Sequence, residues 1–240
     1  RLTELPLGLI GIAVATVILP TLSAKHSQKS DAEFRGTIDW ALKVIVMVGV
    51  PASLAMGILA EPLLASLFHH GRFDSDDVIK SAMALQALSG GILAFMLIKV
   101  FAPAFYARQD VKTPVRIGII AMVANMVFNL MLVWHLDHVG LSLASTLSAF
   151  LNAGLLYRGL HQKGIYRLES HWVKLAVRFA LANAAMVGLL FWVTPDSAWW
   201  LAEQGWGRVG WVLLICAAGA ATYAVALLAV GFRPRELRHP

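Results

Sequence analysis

Seven long apolar runs constrain this 240-residue chain more than any other feature of its sequence. Each run has the roughly 20 residues that an α-helix needs to cross the hydrocarbon core of a bilayer. Because the runs are continuously apolar rather than alternating, they favour helices over the strands of a membrane barrel. The sequence therefore predicts an all-α integral membrane protein with seven transmembrane helices. The seven spans cover approximately residues 5–24, 38–60, 81–107, 115–135, 139–160, 172–193 and 208–232.

Composition excludes several other classes of protein. Hydrophobic residues make up 58% of the chain and charged residues only 14%, whereas a soluble domain carries about 25% charged residues. The single cysteine, Cys216, excludes an intramolecular disulfide framework and a multi-cysteine metal site. His135 and His138 are close in sequence but lack a third ligand. We therefore predict no metal site and no resident cofactor.

The distribution of the 20 Lys and Arg residues indicates how the spans are oriented. Fourteen lie on one side, in the connections, the tail and the adjoining ends of spans, and four lie on the other side; Lys43 and Lys99, within spans, are assigned to neither side. Basic residues collect on the cytoplasmic side of membrane proteins, so we expect a cytoplasmic C-terminus. The net charge of +6 then reflects this topology and contact with anionic membrane lipids. No nucleic-acid partner is needed to explain it.

Charged residues within or beside the spans are candidate functional residues, because burying one in hydrocarbon costs about 2.5–3.5 kcal/mol. Lys99 lies well inside the third span, where it either faces a cavity that binds an anion or extends towards the inside interface. Lys43 follows Asp39 by four residues, which predicts a local ion pair. Arg1 and Glu4 are spaced to pair at the outside end of the first span.

Polar residues also recur on the fourth and fifth spans. Asn125 and Asn129 share one helix face, and Ser145 belongs to a polar series on the next span. Hydrogen bonding between packed helices explains this pattern, and so does a hydrated passage or small-cation site. Both interpretations stay open on spacing alone.

The last two spans differ in character from the first five. They are apolar nearly all round, and the final span carries a patch of small residues at 217–221 that permits close helix approach. Simple pairing of these two helices and a lipid-facing groove between them both fit the sequence. We therefore divide the chain into residues 1–162, with five spans, and residues 163–240, with two spans and a cytoplasmic tail.

Several stretches resemble the MurJ (MviN) family of lipid II flippases. The opening RLTELPLGLIGIAVATVILPTLS is similar to the start of that family's eighth helix, and FHHGRFD at 68–74 is similar to the loop that precedes its tenth helix. Residues 99–118, KVFAPAFYARQDVKTPVRIG, resemble the tenth helix and the cytoplasmic loop after it. Residues 139–157 resemble the twelfth helix. The chain would then supply helices eight to fourteen of fourteen, the C-terminal half of a longer protein.

The resemblance implies the multidrug/oligosaccharidyl-lipid/polysaccharide (MOP) exporter fold, in which two bundles face each other across a central cavity. It implies a non-enzymatic transporter that flips lipid II to the periplasmic leaflet of the bacterial inner membrane by alternating access. The implied partners are lipid II, anionic membrane lipids, the N-terminal half of the same protein and the cell-wall synthesis or division machinery. The helix pair after residue 162 would line a groove for the polyprenyl tail.

The same resemblance assigns roles to individual residues. Arg1 matches a cavity arginine that binds the lipid head group, Glu4 matches its charged neighbour, and Lys99 matches a cavity-facing lysine. Asn125, Asn129 and Ser145 occupy places comparable to a sodium site of some members. Asn129 stands where those members have a carboxylate, which argues against that site here. Coupling to sodium or to the membrane potential stays open.

Other functions fit the same apolar chain. A related exporter of the superfamily would carry a drug or another polyprenyl-linked glycan. A membrane enzyme acting on lipid-linked sugars would need clustered acidic or histidine residues near one interface. A non-transporting scaffold in cell-wall assembly would not need cationic residues facing a shared cavity.

Overall fold

The computed structural model describes residues 2–4, 7–28, 30–69, 73–202 and 206–233, and within them it contains helices and no strands. This confirms the predicted all-α class. A π-helix, Leu7–Ile12, leads into the first α-helix. The α-helices in chain order are α1 (Ala13–Ser27), α2 (Asp31–Ile58), α3 (Ala60–Phe68), α4 (Ser75–Ser89), α5 (Ile92–Tyr106), α6 (Lys112–Gln162), α7 (His171–Val193), α8 (Ser197–Ala202) and α9 (Trp206–Ala229).

Five helical stretches of the described chain are long and apolar enough to cross a membrane. They are Asp31–Ile58, Ser75–Tyr106, Lys112–Gln162, His171–Val193 and Gly207–Ala229. The number of seven spans stays a prediction, because α1 has only 15 residues after the π-helix and α6 runs over 51 residues. These helices nevertheless indicate a multi-pass membrane protein.

The 51-residue α6 consists of two helical arms, residues 112–136 and 138–162, folded back on each other. The reversal occurs at Asp137, whose φ of 46° and ψ of −128° are not helical. Asn125 Nδ2 donates a hydrogen bond to Ser148 Oγ at 3.2 Å, although a straight helix would separate these residues by about 35 Å. The two arms correspond to the fourth and fifth apolar runs of the sequence.

The third apolar run is interrupted where α4 gives way to α5, at Gly90 and Gly91. A Cβ atom on Gly91 would lie 2.9 Å from Thr146 Oγ1 and 3.2 Å from Thr146 Cα. Glycine is therefore needed for the second arm of α6 to approach this break. Thr146 Oγ1 also donates a hydrogen bond to the carbonyl of Ala87 at 2.7 Å, which links the arm to α4.

Helix α5 lies at the centre of the bundle and packs against α1, α2 and α6. The main core forms there from fully buried side chains such as Ile18, Ile38, Met96 and Phe105. Burial of this apolar area contributes about 25 cal/mol per Å² where water is the alternative. Within the bilayer, dense packing and interhelical hydrogen bonds take over that role.

Large apolar side chains also cover the outer surface of α6 and α7. Trp134 is 80% exposed and Trp192 is 85% exposed, and Leu130 and Phe191 are similarly open. A soluble monomer rarely exposes contiguous apolar patches of more than a few hundred Å². This surface therefore suits contact with lipid chains.

The last two long helices, α7 and α9, pack against each other and against α2. At their contact, a Cβ on Gly219 would lie 3.0 Å from Leu190 Cδ2. The small side chains of α9 at this point therefore permit the close approach that the sequence indicates. The short helix α3 also contacts α9, so the pair touches the bundle at two places along its length.

One buried arginine fixes the contact between α9 and the short helices. Arg208 is only 5% exposed. Its Nη1 donates hydrogen bonds to the carbonyls of Ala65 at 3.0 Å and Trp200 at 3.2 Å, and to His69 Nδ1 at 2.9 Å. Arginine suits this site because its planar group presents several donors in fixed directions.

Candidate functional site

Lys99 lies within the apolar part of α5, between the fully buried Met96 and Val100. Its side chain is half-buried, and its stem crosses the π-helix. Lys99 Cδ and Cε lie 2.9 and 3.4 Å from the position that a Cβ on Gly11 would occupy. Among the described residues, no carboxylate forms an ion pair with its ammonium group. Lys99 is thus a cation inside a candidate span without a paired anion in that part of the chain.

Arg1 lies outside the described residues, so its predicted place at the head of the first helix is untested. Glu4 is exposed, and its predicted pairing with Arg1 stays a prediction. Leu2, which follows Arg1 in the chain, lines an open cavity of about 560 Å³. Ser81 and Ser142 contribute polar groups to the same cavity.

His138 also lines this cavity, and its Nε2 lies 3.0 Å from the carbonyl oxygen of Lys80. In the tautomer with a proton on Nε2, His138 donates a hydrogen bond that connects the turn of α6 to α4. Its sequence neighbour His135 contacts the carbonyl of Met131 within its own helix. Within the described residues, no group of three His, Cys, Asp or Glu side chains is arranged to hold a metal ion.

Asn125, Asn129 and Ser145 lie near the contact between the arms of α6. Asn129 Nδ2 donates to Asn125 Oδ1 at 3.0 Å, and Asn125 in turn donates to Ser148. Ser145 Oγ donates to the carbonyl of Leu141 in its own helix at 3.0 Å. These contacts form a hydrogen-bonded chain between packed helices, which is one of the two interpretations that the spacing left open. The cation site remains a prediction.

Asp39 joins α2 to the segment that leads into α7. Its Oδ1 accepts hydrogen bonds from Tyr166 Oη at 2.8 Å and from Trp172 Nε1 at 2.6 Å. Lys43 Nζ lies 2.7 Å from Asp39 Oδ2, as the four-residue spacing predicts. Tyr166 and Trp172 were not identifiable from the sequence, because more than 120 residues separate them from Asp39.

An apolar groove of about 300 Å³ lies where α7 and α9 meet α2. Met47 and Pro51 line it from α2, Met186 from α7, and Tyr223 from α9. The hydroxyl of Tyr223 donates a hydrogen bond to the carbonyl of Met47 at 2.7 Å, so this polar group is satisfied within the protein. The remaining lining is suited to hydrocarbon.

The turn between α5 and α6 explains part of the motif at residues 99–118. Gln109 has a φ of 60°, and Asp110 follows it. The Asp110 carboxylate accepts hydrogen bonds from Thr113 N at 3.1 Å and Thr113 Oγ1 at 2.7 Å, and forms an ion pair with Lys163. The hydrogen bond from Lys163 lowers the pKa of Asp110 to about 2.

We expect Asp110→Asn to lower the stability of the full-length protein at neutral pH by about 1 kcal/mol, the scale of a helix cap and an exposed ion pair. The folded pKa of Asp110 is lower than that of an unfolded aspartate, near 4. The charged form therefore stabilises the fold above about pH 4, and this contribution is lost as pH falls towards 2. Unfolding temperatures measured in detergent should differ at pH 7 and converge below pH 4. Asp196→Asn, at an exposed position, should match the wild type throughout, and a constant difference at all pH values would contradict the assignment.

Long apolar helices and a lipid-compatible outer surface together define a polytopic α-helical membrane protein. A family model described as lipid II flippase MurJ matches residues 1–203, which is most of the chain. The chain therefore belongs to the MurJ family.

Similar curated proteins come from several bacteria. A probable lipid II flippase MurJ of Vibrio cholerae is 46% identical and aligns with 99% of this chain and 45% of its own length. The Haemophilus influenzae protein of the same description is 43% identical, over 99% of this chain and 48% of its own. A lipid II flippase MurJ of Burkholderia cenocepacia is 35% identical, over 97% and 45%. The chain thus spans about half the length of the curated relatives it matches.

A solved structure gives the same result for the fold. It is titled lipid II flippase MurJ, inward closed conformation, and superposes with a TM-score of 0.72. The match covers 95% of this chain and 46% of the solved one, at 19% sequence identity. At that identity the likeness establishes the shared helical fold alone.

Proposed function

We propose that the protein containing this chain moves lipid II from the cytoplasmic to the periplasmic leaflet of the bacterial plasma membrane. Lys99 is the observation that carries the proposal. A half-buried cation without an anionic partner among the described residues is costly in a candidate membrane span. A phosphate-bearing head group that binds beside Lys99 lowers this cost, because it supplies an anionic partner and charge-assisted hydrogen bonds.

The head group is the part of the lipid whose transfer the protein must facilitate, because moving its charges and sugars into hydrocarbon costs free energy. We assign Lys99 and Arg1 to its binding, with Glu4 orienting Arg1. Arginine suits a pyrophosphate because its guanidinium group binds two oxygens at once. Leu2, the residue after Arg1, lines a cavity of about 560 Å³, which has room for part of the polar head group.

The lipid tail can stay in hydrocarbon throughout the transfer. We assign the groove lined by Met47, Pro51 and Met186 to the tail, because its walls are apolar and it lies along α7 and α9. The tail would then lie where residues 163–240 pack against α2, away from the residues assigned to the head group.

Transport requires that the binding site open to each side in turn. We propose that this chain moves against the remaining half of the protein by alternating access, with no covalent bond made or broken. The excess of basic residues on one side supports a cytoplasmic C-terminus. We assign the Asn125–Ser148 contact to packing between the arms of α6 rather than to cation binding, since both asparagines donate to protein acceptors.

The test is the appearance of lipid II in the outer leaflet of cells whose only flippase is a variant of the full-length protein. Lys99→Met keeps the side-chain length and removes the charge, so we expect outer-leaflet lipid II to fall at least about tenfold, the effect of losing one charge-assisted hydrogen bond. Arg1→Ala should abolish transport. Lys99→Arg should retain most of it.

Lys112→Met is the matched control, because Lys112 is an exposed lysine at the start of α6. Each variant must be present in the membrane at the wild-type amount, as judged by immunoblotting. Normal outer-leaflet lipid II with Lys99→Met would exclude Lys99 from the head-group site. Normal transport with both Lys99→Met and Arg1→Ala would contradict the proposal as a whole.

A further inference from the structure

A basic cavity lies between α2 and α7, at the end of the bundle where the sequence predicts the cytoplasm. It has a volume of about 370 Å³ and is lined by the cationic side chains of Lys43, Lys174 and Arg178 together with the imidazole of His171. A second cavity of about 600 Å³ adjoins it, since both are lined by Lys43 and His171. Arg167 lines this second cavity.

The carboxylates beside these cavities are already engaged with the protein. Asp39 accepts hydrogen bonds from two aromatic side chains and pairs with Lys43. Glu169 Oε2 lies 3.4 Å from His171 Nδ1. Lys174, by contrast, is exposed and forms no ion pair or hydrogen bond with the part of the chain that the structure describes. Positive charge is therefore in excess at this place.

The position of Lys174 on its helix increases this excess. Helix α7 begins at His171, so Lys174 lies in its first turn and Arg178 follows four residues later on the same face. A helix N-terminus carries partial positive charge and favours a nearby anion. The first turn of α7 contains no acidic residue. A bound anion would therefore interact favourably with the partial positive charge of the helix N-terminus and would reduce the repulsion between the cations.

The surroundings indicate which kind of anion would bind. Val173 and Val177 flank Lys174 on α7 and are 71% and 55% exposed. Such apolar exposure beside a cationic cavity is suited to an amphiphile at the surface of a bilayer. We propose that this cavity binds the phosphate of an anionic glycerophospholipid from the surrounding leaflet. The site is separate from the Lys99 region, and the proposal does not depend on lipid II as the transported lipid.

Native mass spectrometry of the full-length protein in detergent tests this proposal. The protein is titrated with dioleoyl phosphatidylglycerol or dioleoyl phosphatidylcholine, and retained lipids are counted. We expect the wild type to bind phosphatidylglycerol preferentially. In Lys174→Glu the affinity for phosphatidylglycerol should fall at least about fivefold, because one attractive charge becomes repulsive. The matched control Lys112→Glu reverses an exposed lysine outside the cavity and should bind as the wild type does.

Two further measurements complete the test. Lys174→Gln should weaken phosphatidylglycerol binding in the same direction but less, and unfolding temperatures equal to the wild type establish that both variants are folded. Millimolar inorganic phosphate should leave the bound phosphatidylglycerol in place. Equal retention of both lipids by the wild type, or unchanged binding by Lys174→Glu, would overturn the proposal. Displacement by inorganic phosphate would overturn the lipid as the source of the anion.

Discussion

Arg208→Met is expected to destabilise the protein by about 2–5 kcal/mol, because it removes several hydrogen bonds from one buried place. Methionine fills most of the volume of the arginine stem but donates no hydrogen bond. The carbonyls of Ala65 and Trp200 would then lose their donor in a buried place, and so would His69 Nδ1. An unsatisfied buried acceptor costs about 1–3 kcal/mol. The unfolding temperature of the full-length protein in detergent measures the loss.

Arg158→Met is the matched control for Arg208, because Arg158 is exposed on α6. It should unfold at nearly the wild-type temperature. Arg208→Lys keeps the charge but has only one nitrogen, so we expect an intermediate loss. If Arg208→Met and Arg158→Met unfold at the same temperature, Arg208 does not hold α9 to the short helices.

Gly140→Ala is expected to separate the two arms of α6 near their turn. An added Cβ would lie 2.6 Å from the carbonyl oxygen of Leu132 and 2.8 Å from its carbonyl carbon. Both are backbone atoms, so no side-chain rotation can relieve the contact. Overpacking of this kind costs about 1–3 kcal/mol. We expect a lower unfolding temperature and, in a protein with Asn125→Cys and Ser148→Cys, a lower yield of cross-linking between the arms.

Gly154→Ala provides the control on the second arm of the same hairpin. Nothing lies within 4 Å of its added Cβ, and alanine is the better helix former by about 1 kcal/mol. Its stability should therefore equal or exceed that of the wild type. If Gly140→Ala behaves like Gly154→Ala, the arms do not approach each other as closely as the structure indicates.

Local sequence patterns were sufficient to predict much of the helical architecture. Length and apolarity predicted the helices that became α2, α7 and α9, and a four-residue spacing predicted the Lys43–Asp39 ion pair. The family resemblance was confirmed over most of the chain. These features depend on neighbours in one helix or on composition, both of which are readable from a single sequence.

Contacts between distant residues were not readable in this way. Nothing in the spacing relates Asp39 to Tyr166, or Arg208 to Ala65, because each pair is more than 120 residues apart. The break at Gly91 was also missed, since an apolar run continues through it and only the approach of Thr146 requires the glycine. The partners of Lys99 depend on which helix packs over it, so its candidate role came from its charge within an apolar span and from the family resemblance.

The hydrogen bonds of Asp39 and Arg208 have a joint mechanical consequence. The first fastens the beginning of α7 to α2 through Trp172, and the second fastens the beginning of α9 to α3 through Ala65. Because α7 and α9 run in opposite directions, these attachments lie at opposite ends of the pair. A helix pair attached at both ends cannot readily slide along the bundle or rotate away from it. The two helices should therefore travel with the bundle as one rigid body when the molecule changes shape.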